Sequence, residues 1–205
     1  MNGTPPIVYI VDDDPMFRRS TERVIRMAGL NVQAFSLARD FLQNLRRDGP
    51  ACLVLDVRMP DLSGLDLQRE LTKLDFRIPI IFITGNGSIP LTVRAMKAGA
   101  VEFLTKPIRP PVLIDAIRSA IERDRSDLEK QIEIRELRER YNRLSPRERE
   151  VMTHVSSGLL NKQVASKLRK TETTIKFHRA NVMKKMQADS LADLIRMGEK
   201  LEAST

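Results

Sequence analysis

Four short stretches carry side chains suited to phosphoryl chemistry. Asp12-Asp13-Asp14 follows the apolar run 7–11, and Asp56 follows the run 52–55. Thr84-Gly85 follows the run 78–83, and Lys106-Pro107 comes shortly after the run 101–104. A carboxylate can attack phosphorus and form an aspartyl phosphate. Three carboxylates gathered in one place repel unless a cation or protons compensate them. Hard oxygen ligands with positions left open suit Mg2+, which keeps several waters and is completed by substrate phosphate. A lysine ammonium and a threonine hydroxyl can each hold a phosphoryl oxygen. Taken singly, each feature has a plain structural use: Asp14 before Pro15, for example, fits the N-cap and first position of a helix. Their joint placement after four separate apolar runs points to chemistry. Asp56 is the candidate nucleophile, Asp12, Asp13 and Asp56 the candidate Mg2+ ligands, and Thr84 and Lys106 the candidate phosphoryl partners.

For these residues to meet, the apolar runs must be parallel strands ending on one edge. The runs 7–11, 32–35, 52–55, 78–83 and 101–104 alternate with helix-period segments at about 14–29, 37–47, 63–75, 88–98 and 110 onward. That alternation predicts an α/β, flavodoxin-like, five-stranded doubly wound domain with strand order 2-1-3-4-5. Its ligand crevice lies at the carboxyl ends of the strands, where all four stretches fall. Gly29, Gly49 and Gly99 stand just past three predicted helices, where left-handed C-caps are expected.

Composition narrows the class. The chain has 205 residues, 41% hydrophobic and 30% charged, which allows one large domain or two modest ones. No apolar run approaches the roughly 18 residues of a membrane-crossing helix. The start, Met1-Asn2-Gly3-Thr4-Pro5-Pro6, lacks the basic and apolar regions of a signal peptide. Cys52, the single cysteine, reads as a small strand hydrophobe. A cytoplasmic protein with no membrane partner is expected. The net charge of +8 is uneven, with 13 Lys/Arg against 7 Asp/Glu in residues 141–205. A small segment with most of the positive excess suggests a nucleic-acid partner, although charge alone is weak evidence.

The second half reads as helical. From Val112 to Tyr141 no glycine or proline intervenes, and charges alternate from Glu122 to Arg140. One long helix is expected, with 121–142 as a semi-rigid linker between a domain at 1–120 and another at 143–205. In the latter, Ser145-Pro146-Arg147-Glu148 forms a capping box, Gly158 ends a helix, Asn161 can cap the next at 162–168, and Thr171 can cap 172–186. Two short helices joined by a tight turn predict a small all-α helix-turn-helix domain whose second helix enters the major groove. Ile175, Val182 and Met186 form its buried stripe, leaving Lys176, Phe177, Arg179, Ala180 and Lys184 outward. A merely solvated basic helix is the plain alternative.

These motifs resemble two known families. Val11-Asp12-Asp13-Asp14, Leu55-Asp56-Val57-Arg58-Met59-Pro60-Asp61-Leu62-Ser63-Gly64, Ile83-Thr84-Gly85 and the stretch Ala98 to Pro107 resemble a response-regulator receiver domain. The resemblance implies that Asp56 accepts phosphoryl from a sensor histidine kinase. Asp13 and Asp56 would bind Mg2+ directly, Asp12 through water, and Arg58 through its backbone carbonyl. Thr84 and Phe103 would form a switch pair, and the Lys106–Pro107 bond would be cis. Residues 144–151, 158–165 and 174–183 resemble the LuxR-type helix-turn-helix of FixJ-like response regulators. That implies double-stranded promoter DNA as a partner, contacted through Asn161, Lys162, Thr173, Lys176, Phe177, Arg179, Ala180 and Lys184, with RNA polymerase as a further candidate. Phosphorylation is expected to produce a homodimer through 88–98, the fifth strand and the start of helix 110, which bear Arg94, Lys97, Glu102, Arg109, Asp115 and Arg118. One departure stands in the turn. Arg169 and Lys170 replace a glycine-like residue and an apolar plug, which either loosens the turn or adds phosphate contacts. A transcription regulator is expected rather than an enzyme. An aspartate-nucleophile phosphatase would want a carboxylate where Arg58 stands. A flavin-binding flavodoxin would want a hydroxyl- and glycine-rich loop where three aspartates stand.

Overall fold

The computed structural model describes residues 4–85 and 87–203. The expected sheet is present. Strands β1 (Ile7–Val11), β2 (Asn31–Phe35), β3 (Ala51–Asp56), β4 (Ile80–Thr84) and β5 (Glu102–Thr105) pair in parallel in the order β2-β1-β3-β4-β5. Helices α1 (Pro15–Met27), α2 (Ala38–Gln43), α3 (Gly64–Lys73) and α4 (Ile89–Lys97) connect them, and α5 (Pro110–Asn142) follows. Alternate residues of the buried strands feed two cores. Tyr9, Val11, Leu53, Leu55 and Phe82 pack on one face, while Val8, Ile10, Cys52, Val54, Ile81 and Ile83 pack on the other. Both faces being covered explains why these strands read as continuous apolar runs rather than alternating ones. The register Asp56↔Ile83 and Thr84↔Thr105 brings the ends of β3, β4 and β5 level.

Two local expectations fail for identifiable reasons. Helix α2 stops at Gln43 rather than near 47, because the Asn44 side-chain amide donates to the Asp40 carbonyl at 2.8 Å and competes with the helix ladder. Gly49 is therefore no C-cap. Its need is for space, since a Cβ there would lie 2.9 Å from the Thr4 Cβ. Gly29 and Gly99 do adopt the left-handed conformation, with φ of 79° and 93°. Strand β4 begins at Ile80 rather than Ile78, because Pro79 has no N–H to offer a ladder.

Helix α5 is continuous over 33 residues. The chain nevertheless parts into two compact units between Leu128 and Glu129. In the first, α5 buries Leu113, Ile117, Ala120 and Ile121 against the sheet. Asp124, 3% exposed, then accepts from Arg47 Nη2 at 2.5 Å and from the Ala51 amide at 2.8 Å. This clasp ties α5 to the start of β3. In the second unit, Leu137 is buried and Tyr141 packs alongside it. No side chain from Arg125 to Glu136 is buried.

The second unit is all-helical beyond α5: α6 (Pro146–Ser156), α7 (Asn161–Leu168), α8 (Glu172–Met186) and α9 (Leu191–Glu202). Val151, Met152, Val155, Val164, Ile175, Val182, Met186 and Leu194 form its core. Ser145 and Glu148 make the expected capping box, and Thr171 caps α8 by accepting from the Thr174 amide at 3.2 Å. Asn161 is not a cap. Helix α7 begins at Asn161 itself, Leu160 stands at the N-cap, and the Gln163 carboxamide accepts the Leu160 N–H at 2.8 Å. The Asn161 side chain is thereby freed for another partner.

Candidate functional site

The carboxyl edge of the sheet holds the first site. Asp12 is fully buried and Asp56 is 6% exposed, each at the end of a buried strand. Lys106 follows β5 and is positioned by its own amide, which donates to the Thr84 carbonyl at 2.8 Å, and by a cis bond to Pro107. Its ammonium lies 2.7 Å from Asp12 Oδ2 and 3.4 Å from Asp56 Oδ1, and 3.9 Å above the ring of Phe17. One cation thus serves two buried carboxylates. The remaining acceptors are met by backbone: the Asp14 amide donates to Asp12 Oδ1 at 2.9 Å and the Arg58 amide to Asp56 Oδ2 at 3.2 Å. Asp13 is exposed at the same edge, and Asp14 caps α1 by accepting from the Met16 and Phe17 amides.

Burial raises both the Asp12 and Asp56 carboxyls above the ordinary carboxylate range, and the Lys106 ammonium opposes the rise. The site therefore holds excess negative charge at a cost, which an added cation would relieve. Among the described residues no three His, Cys, Asp or Glu side chains cluster as a metal cage. Mg2+ does not require such a cage: one or two carboxylates, a backbone carbonyl and waters suffice, and the oxygens of Asp12, Asp13 and Asp56 at this edge are hard donors of the kind it takes.

Thr84 is buried at the end of β4, and its neighbour across the register is Thr105. Phe103 is half-buried on β5, with its ring centroid 6.3 Å from that of Phe82. Two glycines fit around these residues by close approach. At Gly64, in the first turn of α3, a Cβ would collide with the backbone carbonyl oxygen of Asp56 and lie 3.0 Å from the Phe82 ring. At Gly87 a Cβ would lie 3.0 Å from the Thr105 methyl and 3.4 Å from both Thr84 and the Phe103 ring. Neither constraint is visible in composition or periodicity. Gly64, eight residues after the end of β3, and Gly87, three after the end of β4, read simply as loop glycines.

The second site is the outer surface of α8. Ile175, Val182 and Met186 are buried, and Thr173, Lys176, Ala180 and Lys184 are exposed. Phe177 is 64% exposed, a large apolar ring on a basic surface, with the His178 ring edge-on at 5.8 Å. Lys162 is exposed in the first turn of α7. Arg179 is half-buried, and its Nη1 donates to Asn161 Oδ1 at 3.1 Å, which fixes the start of α7 against the middle of α8. Lys176 is paired with Glu172 at 3.3 Å on the same face. Beneath, the buried carboxylate of Glu148 meets Lys185 Nζ at 2.6 Å and the Ser145 amide at 2.7 Å. Burial opposes ionisation of Glu148, yet these donors carry its carboxyl below the usual range. The pair orients α8 on α6. Sequence reasoning assigned Glu148 only to the capping box and did not find Lys185.

Comparison with known proteins assigns a family to each half of the chain. Residues 8–118 match the response regulator receiver domain family, and residues 142–198 match the LuxR family of bacterial regulatory proteins. Nodulation protein W of Bradyrhizobium diazoefficiens is 55% identical over 98% of the chain and 89% of its own length. The transcriptional regulatory protein FixJ of Rhizobium meliloti is 43% identical over 93% of each. Among solved structures, the response regulator StyR superposes with a TM-score of 0.85 at 42% identity, covering 96% of this chain and 100% of that one. The chain belongs to the DNA-binding two-component response regulators, with a receiver domain followed by a LuxR-type helix-turn-helix domain.

Proposed function

We propose that Asp56 accepts a phosphoryl group from a sensor histidine kinase and that the modification controls promoter binding by the surface of α8. In the transfer, Asp56 Oδ1 forms a bond to phosphorus as the bond from phosphorus to the kinase histidine nitrogen breaks. Asp12, Asp13, Asp56 and the Arg58 carbonyl would hold a Mg2+ ion, which would supply positive charge to the phosphoryl oxygens. Lys106, already between Asp12 and Asp56, gives its ammonium to one phosphoryl oxygen, and the Thr84 hydroxyl donates to another. Drawing Thr84 inward opens space that the Phe103 ring can occupy. The observation that carries the reading is the buried Asp56 carboxylate at the end of β3, 3.4 Å from Lys106 Nζ and backed by Asp12.

We further propose that residues 1–120 act as the receiver, 121–142 as the linker and 143–205 as the DNA-binding domain. Phosphorylated chains would pair through α4, β5 and the start of α5. Arg94, Lys97, Glu102, Arg109, Asp115 and Arg118 are exposed there. So are Ile89, Val93, Met96 and Val112, at 82%, 44%, 43% and 37%. An apolar stripe among charges of both signs suits a two-fold interface better than charges alone. On DNA, Lys176, Arg179, Phe177, Ala180, Thr173, Lys184, Asn161 and Lys162 would meet bases and phosphates. On this reading the protein works in the cytoplasm, with RNA polymerase as a partner at the promoter. Among the described residues, no helix is long and apolar enough to cross a membrane.

The test is covalent. Incubation with acetyl phosphate and Mg2+ should add one phosphoryl group, labile to hydroxylamine, and peptide mapping should find it on Asp56. Label of undiminished amount on the Asp56→Asn variant would overturn the assignment.

A further inference from the structure

The turn between α7 and α8 carries the feature that the receiver and α8 do not account for. Arg169 caps α7 in the left-handed conformation, with φ 52° and ψ 48°. Past α1, α4 and α6 the chain reaches this region of backbone space with Gly29, Gly99 and Gly158, the residue type that adopts it without a Cβ clash, while Asp75 after α3 and Gln187 at the end of α8 adopt it as Arg169 does. An arginine here is less favoured by the backbone than a glycine would be. Lys170 follows it, where an apolar plug would pack the turn.

The turn is not loosened by these residues. The Arg169 amide donates to the Ser166 carbonyl at 3.3 Å, and the Lys170 amide to the Ala165 carbonyl at 3.0 Å. Thr171 completes the cap of α8, and Leu168 and Ile175 on either side reach the core. The local hydrogen bonds are those of a well-formed helix end. Meanwhile Arg169 and Lys170 are both exposed, and among the described residues neither is paired with a carboxylate. The nearest acid in sequence, Glu172, is engaged by Lys176. Two cations stand free at the N-terminal end of α8.

A second cationic group lies further along the same helix, where Asn161 holds the guanidinium of Arg179 and Lys162 is adjacent. From Thr171 to Arg179 is eight residues, about 12 Å at the α-helical rise. The major groove of B-form DNA is also about 12 Å wide. A helix lying in that groove with cations at both ends of this span meets a phosphate backbone on each side.

We propose that Arg169 and Lys170 are a phosphate-binding pair that grips the DNA backbone across the groove from the contacts at Lys162 and Arg179. The left-handed arginine is retained for this contact at the expense of local stability. The inference rests on the reading of α8 as the DNA reader. The pair supplies affinity that does not depend on sequence, because phosphates carry no base information.

The test uses the full-length chain treated with acetyl phosphate and a fluorescein-labelled duplex selected from random sequence by the wild-type protein. Anisotropy titrations over 50–200 mM KCl compare wild type with Arg169→Gly, Lys170→Ala and the double variant. Each single change should flatten the plot of log affinity against log salt by about 0.9, and the double by about 1.8. Sequence preference should be unchanged. Arg169→Gly should at the same time raise the melting temperature by a few degrees, a combination that a purely structural role for the side chain would not give. Phosphate-ethylation interference should lose its signal on one strand only in the double variant. A double variant with the wild-type salt slope overturns the inference while the DNA-binding reading stands. Failure of the wild type to select any duplex overturns that reading and the inference with it.

Discussion

The proposed phosphoryl pocket and the proposed DNA-reading surface use charge in opposite ways. At the pocket, Asp12 and Asp56 are buried at strand ends, and Lys106 is fixed between them by backbone hydrogen bonds and the ring of Phe17. On α8 and the turn before it, Lys176, Lys184, Arg169 and Lys170 are exposed and held only by the helix that carries them. Group transfer requires atoms preset to a fraction of an ångström in a site of low dielectric. Backbone recognition requires charge within reach of phosphates and tolerates mobile side chains. Substitutions in the first site should therefore act through geometry and buried charge, and those in the second through salt-dependent affinity.

The sharpest contrast comes from a residue with no charge. Gly64→Ala places a methyl against the carbonyl of Asp56, so the end of β3 must shift. We expect labelling by acetyl phosphate to slow at least ~10-fold, and the receiver to lose about 2–3 kcal/mol of stability. Both are read by a labelling time course and urea unfolding. Labelling at the wild-type rate would show that the pocket tolerates displacement and would erase the distinction between the sites.

Next in size is the support beneath the reader. Lys185→Ala leaves Glu148 buried beside α8 without its ammonium. Because Lys185 is itself 40% exposed, the loss should fall below that of a fully buried pair, at about 1–2 kcal/mol in the second unit. The depressed Glu148 carboxyl contributes stability that is present above its unfolded value and lost as pH falls through its lower folded value. The variant should accordingly show a shallower loss of stability with acid, checked by thermal melts across that range.

Buried charge in the pocket predicts the reverse sign. The raised carboxyl of Asp56 disfavours the ionised folded state, so stability is greatest below its unfolded value near ~3.9 and declines as pH rises through the higher folded value. Asp56→Asn should raise the melting temperature by ~4 °C at pH 7.5, about 1 kcal/mol, and the gain should shrink as pH is lowered. An equal gain at every pH would mean that packing and not charge is responsible. The smallest effect belongs to the exposed surface. Lys176→Ala should lower the salt slope of DNA binding by about 0.9 with no change in fold stability. A stability loss without a change in slope would place Lys176 in the scaffold.

Much of this was legible in the chain because it is written locally. Asp56, Thr84 and Lys106 announce themselves by following apolar runs, and parallel pairing then brings strand ends together without further information. The capping box at Ser145 and the cap at Thr171 were equally local. What was not legible depends on distant partners. The clasp between Asp124 and Arg47 joins residues 77 apart. Glu148 read as a capping residue and is also the buried partner of Lys185. Asn161 looked like an N-cap because a carboxamide at a helix start usually is one, whereas its acceptor serves Arg179. The demand on Gly64 comes from the carbonyl of Asp56, which the fold and not the sequence brings near. The exposure of Ile89, Val93 and Met96 on α4 is a property of the fold and not of the local sequence.

On the proposed function, the state of Asp56 sets the DNA affinity of the second unit. The direct measurement is the affinity of the full chain for its selected duplex, with and without acetyl phosphate and Mg2+, in wild type and in Asp56→Asn. Affinity should rise for the phosphorylated wild type and not for the variant, with fold stability intact in both. An equal rise in the variant, or no rise in a wild type shown by mass to be fully phosphorylated, would contradict it.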